Sequence, residues 1–248
     1  MRNVLCEICV ESLEGALVAQ EAGADRIELC SSLSEGGLTP SAGLLQLVHK
    51  SIALPIHVMI RPRRGDFVYT SSELDTMMCD IAYARELGAA GIVLGLLRVD
   101  GTVDEDKCAR LIQMADPLSV TFHRAFDFTR DPFEALETLR AIGVARILTS
   151  GCAPSVDAGI ETLTRLITRA GSRIGIMPGG GIHELNVAHL VRTTDAQEIH
   201  FSGRASFASP MTFRNESPLL AHSESQSHHV RDVTDPNRIR TIVAAARQ

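Results

Sequence analysis

Cys9 and Cys30 each end an apolar run, and each stands two residues after a glutamate, Glu7 and Glu28. Two thiolates brought together could hold a soft ion such as Cu(I). Free cysteines serve equally well as small buried residues. Cys6-Glu7-Ile8-Cys9 has CxxC spacing, but on a strand residues three apart face opposite sides. That motif is therefore neither a chelate nor a thioredoxin-like pair, which needs the turn opening a helix.

A second group is basic and polar. Arg61-Pro62-Arg63-Arg64 offers guanidinium groups, which suit carboxylates or phosphates, or simply a solvated basic loop. Thr121-Phe122-His123-Arg124-Ala125-Phe126-Asp127 gathers side chains able to move protons, with no adjacent nucleophile. Glu28, Arg61, His123 and Asp127 are the candidate catalytic groups. A third group is rich in glycine. Gly179-Gly180-Gly181 lets backbone N–H groups approach an anion, and a following helix would add its dipole. Ser150 and Gly151, with Ser202 and Gly203, end neighbouring runs and could complete an anion site. The competing reading is a tight left-handed turn.

These residues recur at the ends of strand-length apolar runs, over 4–9, 26–30, 56–61, 91–94, 120–124, 146–151, 176–181 and 198–203. Helical stretches follow the runs, over 12–22, 41–51, 72–87, 104–115, 131–142, 156–170 and 183–192. Ser12, Asp104 and the Asp131-Pro132 pair mark helix starts. Gly23, Gly88 and Gly143 mark helix ends. About eight βα units in roughly 210 residues predict an α/β fold, a single closed (β/α)8 TIM barrel, with an open doubly wound sheet as the competing architecture. Ligands of such folds sit beyond the carboxyl ends of the strands.

Strand alternation turns Glu7 and Cys9, then Arg26, Glu28 and Cys30, into the barrel. His57, Met59 and Arg61 join them, with Thr121, His123, Glu198, His200 and Ser202. So polar an interior requires pairing. Glu7, Glu28, Arg26 and Arg61 either neutralise one another or, near the strand ends, form a site.

One domain spans residues 1–248. Residues 213–235 read as a long mobile loop, containing a Ser/His-rich stretch with histidines at 222, 228 and 229, and 237–247 read as a C-terminal helix extension. Adjacent solvated histidines are more often incidental than metal ligands. The net charge of −6, aromatic content of 4% and absence of Trp argue against nucleic acid. No apolar run approaches the ~18 residues of a membrane span. The start lacks the apolar stretch of a secretory leader. Six cysteines spread over 248 residues indicate a reduced, cytoplasmic protein.

Taken together, Asp25-Arg26-Ile27-Glu28-Leu29-Cys30, Glu35-Gly36-Gly37-Leu38-Thr39-Pro40-Ser41, Thr121-Phe122-His123-Arg124-Ala125-Phe126-Asp127, Ile147-Leu148-Thr149-Ser150-Gly151 and Phe213-Arg214-Asn215 resemble the CutC copper-homeostasis family. The resemblance implies a cytosolic TIM barrel that forms a homo-oligomer, with a link to copper and to Cu(I) binding. It places Cys9 and Cys30 at the family's proposed copper cysteines. The site read from the residues themselves leaves a second function standing, an enzyme acting on a small anionic or phosphorylated substrate. The His-rich segment 222–229 matches nothing in the resemblance.

Overall fold

The computed structural model describes residues 4–213 and 229–248. Eight parallel strands form one sheet: β1 (Leu5–Val10), β2 (Arg26–Leu29), β3 (Ile56–Met59), β4 (Gly91–Leu94), β5 (Ser119–Phe122), β6 (Arg146–Thr149), β7 (Gly175–Pro178) and β8 (Glu198–Phe201). Each pairs with its chain neighbour, β1 also pairs with β8, and a parallel bridge between Gly179 and His200 closes the seam between β7 and β8. The result is a TIM barrel.

The helices are α1 (Leu13–Glu21), α2 (Ala42–Ser51), α3 (Ser71–Glu86), α4 (Glu105–Ala115), α5 (Pro132–Ala141), α6 (Ile160–Ala170), α7 (Val187–Thr194) and α8 (Pro236–Ala246). Their starts follow from side chains that accept the orphan N–H groups of a first turn. Ser12, Ser41, Asp104 and Asp131 do so for α1, α2, α4 and α5, and Thr70 with Glu73 makes a capping box on α3. Gly23, Gly88 and Gly143 follow α1, α3 and α5 with φ near +92°, +83° and +85°, a left-handed turn that glycine adopts without strain.

Outward residues of the strands, such as Ile8, Ile27, Val58, Leu94, Phe122 and Ile199, pack with the helices in one large apolar core. α8 packs against both α1 and α7 and completes the ring. No helix among the described residues is long and apolar enough to cross a membrane.

Three sequence expectations change. The stretch over 213–235 is not loop throughout: β10 (Val230–Thr234) pairs antiparallel with β9 (Arg204–Ala208), a ribbon placed between β8 and α8. Residues 214–228, including most of the His-rich segment, lie outside the described residues. α6 and α7 begin at Ile160 and Val187 rather than near 156 and 183. Before α7, the Asn186 side chain accepts from the His183 N–H and donates to Asp157 and to the Gly181 carbonyl, holding a turn where a helix was expected.

The inward faces carry the charge. The Glu7 carboxylate accepts from Arg26 and, at 2.9 Å, pairs with His200 Nδ1. Arg26 also reaches Glu198 at 2.9 Å, and Glu198 accepts from Arg146 at 3.1 Å. Arg146 in turn donates to Ser119 and Thr121 at 3.1 and 3.3 Å. Arg61, expected in this network, is absent from it: it lies past the end of β3, and its guanidinium is held by loop carbonyls. Burial alone would raise the Glu7 pKa, but His200 and Arg26 outweigh it and hold the carboxyl well below the usual range.

Removing one member of a buried ion pair strands the other, at a cost of roughly 3–5 kcal/mol. Glu7→Gln should therefore lower the unfolding free energy by about that much at pH 7, measured by urea titration. A depressed carboxyl pKa stabilises the fold above the unfolded pKa of about 4.3 and loses that contribution as pH falls toward the folded value. The gap between wild type and E7Q should persist from pH 7 to about 5 and shrink below about 4.

Candidate metal centre and barrel-mouth cavity

Three adjacent strands bring one cluster together. In the register of β1 with β2, Cys9 lies opposite Glu28, and in that of β1 with β8, Glu7 lies opposite His200. Cys9 Sγ, a Glu28 carboxylate oxygen and a His200 ring nitrogen all lie within 4.8 Å of one another. All three residues are buried, at 8%, 2% and 8% exposure. His200 is fixed from behind by Glu7 through Nδ1, and its Nε2 stands 3.7 Å from Glu28 Oε2.

Cys30 joins from the side, its thiol donating to Glu28 Oε2 at 3.3 Å. It packs with Met59 and Val93. Gly37 sits directly over it: a Cβ there would be 3.2 Å from Cys30 Sγ. Burial pushes the Cys30 thiol well up and the Glu28 carboxyl up with it, and the neighbouring Glu28 charge adds to the Cys30 shift. Burial would lower His200, but Glu28, Cys9 and Glu7 raise it well above its ordinary value. Glu28 Oε1 has no hydrogen-bond partner.

The cluster forms part of the floor of a cavity of about 940 Å³ at the carboxyl ends of the strands. Arg61 and His123 border it, as do Gly180, Gly181 and Ser202. His123 accepts from the Ala125 N–H at Nδ1, 3.1 Å away, so its proton sits on Nε2. Burial and then Arg61 push its pKa down to about 3.

The remaining expected anion-site residues stand outside the cavity wall. Their small size has packing causes instead. A Cβ on Gly179 would lie 2.5 Å from Leu148 Cδ1 and 3.2 Å from His200 Cβ, so the β7–β8 seam needs glycine there. A Cβ on Gly203 would lie 2.6 Å from Ile239 of α8, and one on Gly151 would lie 2.4 Å from the Gly159 carbonyl.

Ser150 belongs to a second hub around Asp127. That carboxylate accepts from Arg124 Nε at 2.8 Å, from the backbone N–H groups of Ser150 and Cys152 at 3.1 Å each, and from the Thr149 hydroxyl. Asp127 thus ties the short turn Arg124–Phe128 to the end of β6 and does not border the cavity.

Alternation along β8 faces His200 inward, but the pattern of the chain does not by itself group it with Cys9. The available signal was its place beside Glu7 and Glu28 on an alternating strand. Arg146, which opens β6, was not among the residues that alternation placed inside the barrel.

A model of the CutC family matches residues 4–205. A copper homeostasis protein cutC homolog of Homo sapiens is 48% identical over 243 residues, which is 98% of this chain and 89% of that one. A family protein CutC of Mesorhizobium japonicum is 44% identical over 246 residues, covering 99% and 95% of the two chains. The crystal structure of a CutC from Streptococcus agalactiae is similar with a TM-score of 0.75 and 34% identity, covering 80% of this chain and 98% of that one. A phosphoribosyl anthranilate isomerase of Thermotoga maritima has a TM-score of 0.58 at 15% identity over 98% of each chain, a likeness of fold alone.

The Asp127 hub makes a distinct claim. Asp127→Asn should reduce unfolding free energy by about 1.5–3 kcal/mol, the range for hydrogen bonds to a charged group, in a denaturant titration. The NMR signals of residues around Cys9, Glu28 and His200 should be unchanged in the same variant.

Proposed function

This chain belongs to the CutC family, and from that premise we propose that it binds Cu(I) in copper homeostasis, with Cys9 and His200 as ligands. One observation carries the reading: Cys9, Glu28 and His200 place their donor atoms within 4.8 Å of one another at the floor of the cavity. Two mammalian relatives named as copper homeostasis proteins support it. Thiolate and imidazole donors suit a soft monovalent ion. The Glu28 charge offsets the cation, and Glu7 fixes the imidazole by its far nitrogen, as an outer partner does for a metal-bound histidine. Cys30 acts through its hydrogen bond to Glu28 and stands as a second sulfur beside the cluster. Six unpaired cysteines support a reducing, cytosolic setting.

Competition titration against a chromophoric Cu(I) chelator tests the site. Loss of an outer partner alone costs about 10–100-fold in affinity. Cys30→Ser should fall in that range, whereas Cys9→Ser and His200→Gln should lose more than roughly 100-fold. Cys79→Ser, on the exposed side of α3, should lose nothing. Unchanged affinity in C9S would overturn the assignment.

A metal-bound imidazole has lost the proton that the acids around His200 favour. Affinity should rise with pH, by about tenfold per unit for each proton released. A flat profile between pH 6 and 8 would mean that His200 is not a ligand.

A further inference from the structure

Four arginines border the cavity, Arg61, Arg98, Arg124 and Arg204. Three of them have acids in reach. Arg98 faces Asp104 and Asp106, Arg124 faces Asp127, and Arg204 faces Glu11 and Asp232. Arg61 is the most deeply buried of the four, at 6% exposure. Among the described residues it has no carboxylate within ion-pair distance. Its Nη1 donates to the carbonyls of Glu35 and Gly37 at 2.9 and 3.1 Å, and its Nη2 to that of Gly65 at 3.1 Å. Those contacts fix the guanidinium without neutralising it. Nε has no hydrogen-bond partner. The nearby Tyr69 hydroxyl is uncharged, since burial raises its pKa.

A buried cation without a counter-ion is expensive. A structure that holds one rigidly against an open cavity is arranged for a counter-ion from outside. His123 adds to the same wall. It is 4% exposed, and its protonated Nε2 has no partner. Phe67 joins the two, its ring centroid 5.2 Å from the Arg61 guanidinium and 5.2 Å from the His123 ring. Phe128 lies 5.5 Å from Phe67, 67% exposed at the mouth, and Val99 on the same rim is 91% exposed.

We infer that the barrel mouth binds a small organic acid, whose carboxylate meets Arg61 and His123 and whose apolar body lies against Phe67, Phe128 and Met59. A monoanion matches the single uncompensated charge. Three of the five guanidinium N–H groups are held by carbonyls, which leaves at most two, the number a planar carboxylate accepts once the Tyr69 hydroxyl gives way. A phosphate dianion would bring a second negative charge that this wall leaves without a partner. The inference is independent of the proposed metal ligands, which come from β1 and β8, while Arg61 and His123 follow β3 and β5.

The test uses the intact metal-free protein and four probes: benzoate, neutral benzamide, phenyl phosphate and inorganic phosphate. Titrations are followed by calorimetry and by amide and aromatic NMR. Benzoate should bind saturably, at least tenfold more tightly than benzamide, and should shift Phe67, His123 and the amides around Gly36, Gly37 and Gly65. Arg61→Met should abolish the preference for benzoate over benzamide, and Arg61→Lys should retain part of it. Equal affinity for benzoate and benzamide in the wild type overturns the inference even if R61M fails to fold. Tighter binding of either phosphate, with shifts at Gly180, Gly181 and Ser202 instead, overturns it as well and moves the anion site to the glycine loop.

Discussion

The buried carboxylate of Glu7 is the interaction on which the rest depends. A fully desolvated acid survives only when opposite charges surround it closely, and here they come from both sides of β1. Arg26 reaches it from β2 and His200 from β8. The same contacts that neutralise Glu7 therefore lock β8, β1 and β2 against one another. A one-residue slip in either pairing would turn an inward charge out onto the apolar helix layer.

The polar interior has a deeper tier and a tier that lines the cavity. Glu7, Arg26 and Glu198 form the lower tier and are used up in pairing. Cys9, Glu28 and His200 form the next, at the cavity floor, and Cys30 follows above Glu28. Because the lower tier is rigid and electrically satisfied, it can orient His200 through Nδ1 while leaving Nε2 toward Glu28 and the cavity. A barrel filled with branched apolar side chains would hold the strands equally well but would offer no such fixed donor beneath a site.

Much of this was legible in the chain, and the rest was hidden for a definable reason. Alternation along each run is enough to face Glu7, Cys9, Glu28 and His200 inward, and glycines and capping residues are enough to space the βα units. Alternation says nothing about register. Cys9 and Cys30 look equivalent as strand ends, yet pairing sets Cys9 against Glu28 and leaves Cys30 one step higher, under Gly37. The same gap hid the roles of Arg146 and Glu198, whose meeting depends on strands far apart in sequence. Asp127 read as an acid because its neighbours are polar. Its saturation by backbone N–H groups depends on where the end of β6 falls, which no local pattern encodes. The β9–β10 ribbon was obscured by the Ser/His-rich segment between its strands, whose composition reads as loop.

His200 and Glu7 are separated by 193 positions, so their contact joins the two ends of the barrel. Contacts this distant in sequence form late, because loop closure must precede them. During synthesis Cys9 and Glu28 leave the ribosome long before the strand that carries His200 exists. The nascent chain therefore exposes single thiols and never the assembled donor set. Only a chain that has closed the seam between β8 and β1 brings Cys9, Glu28 and His200 together, and products truncated before β8 are left without that cluster.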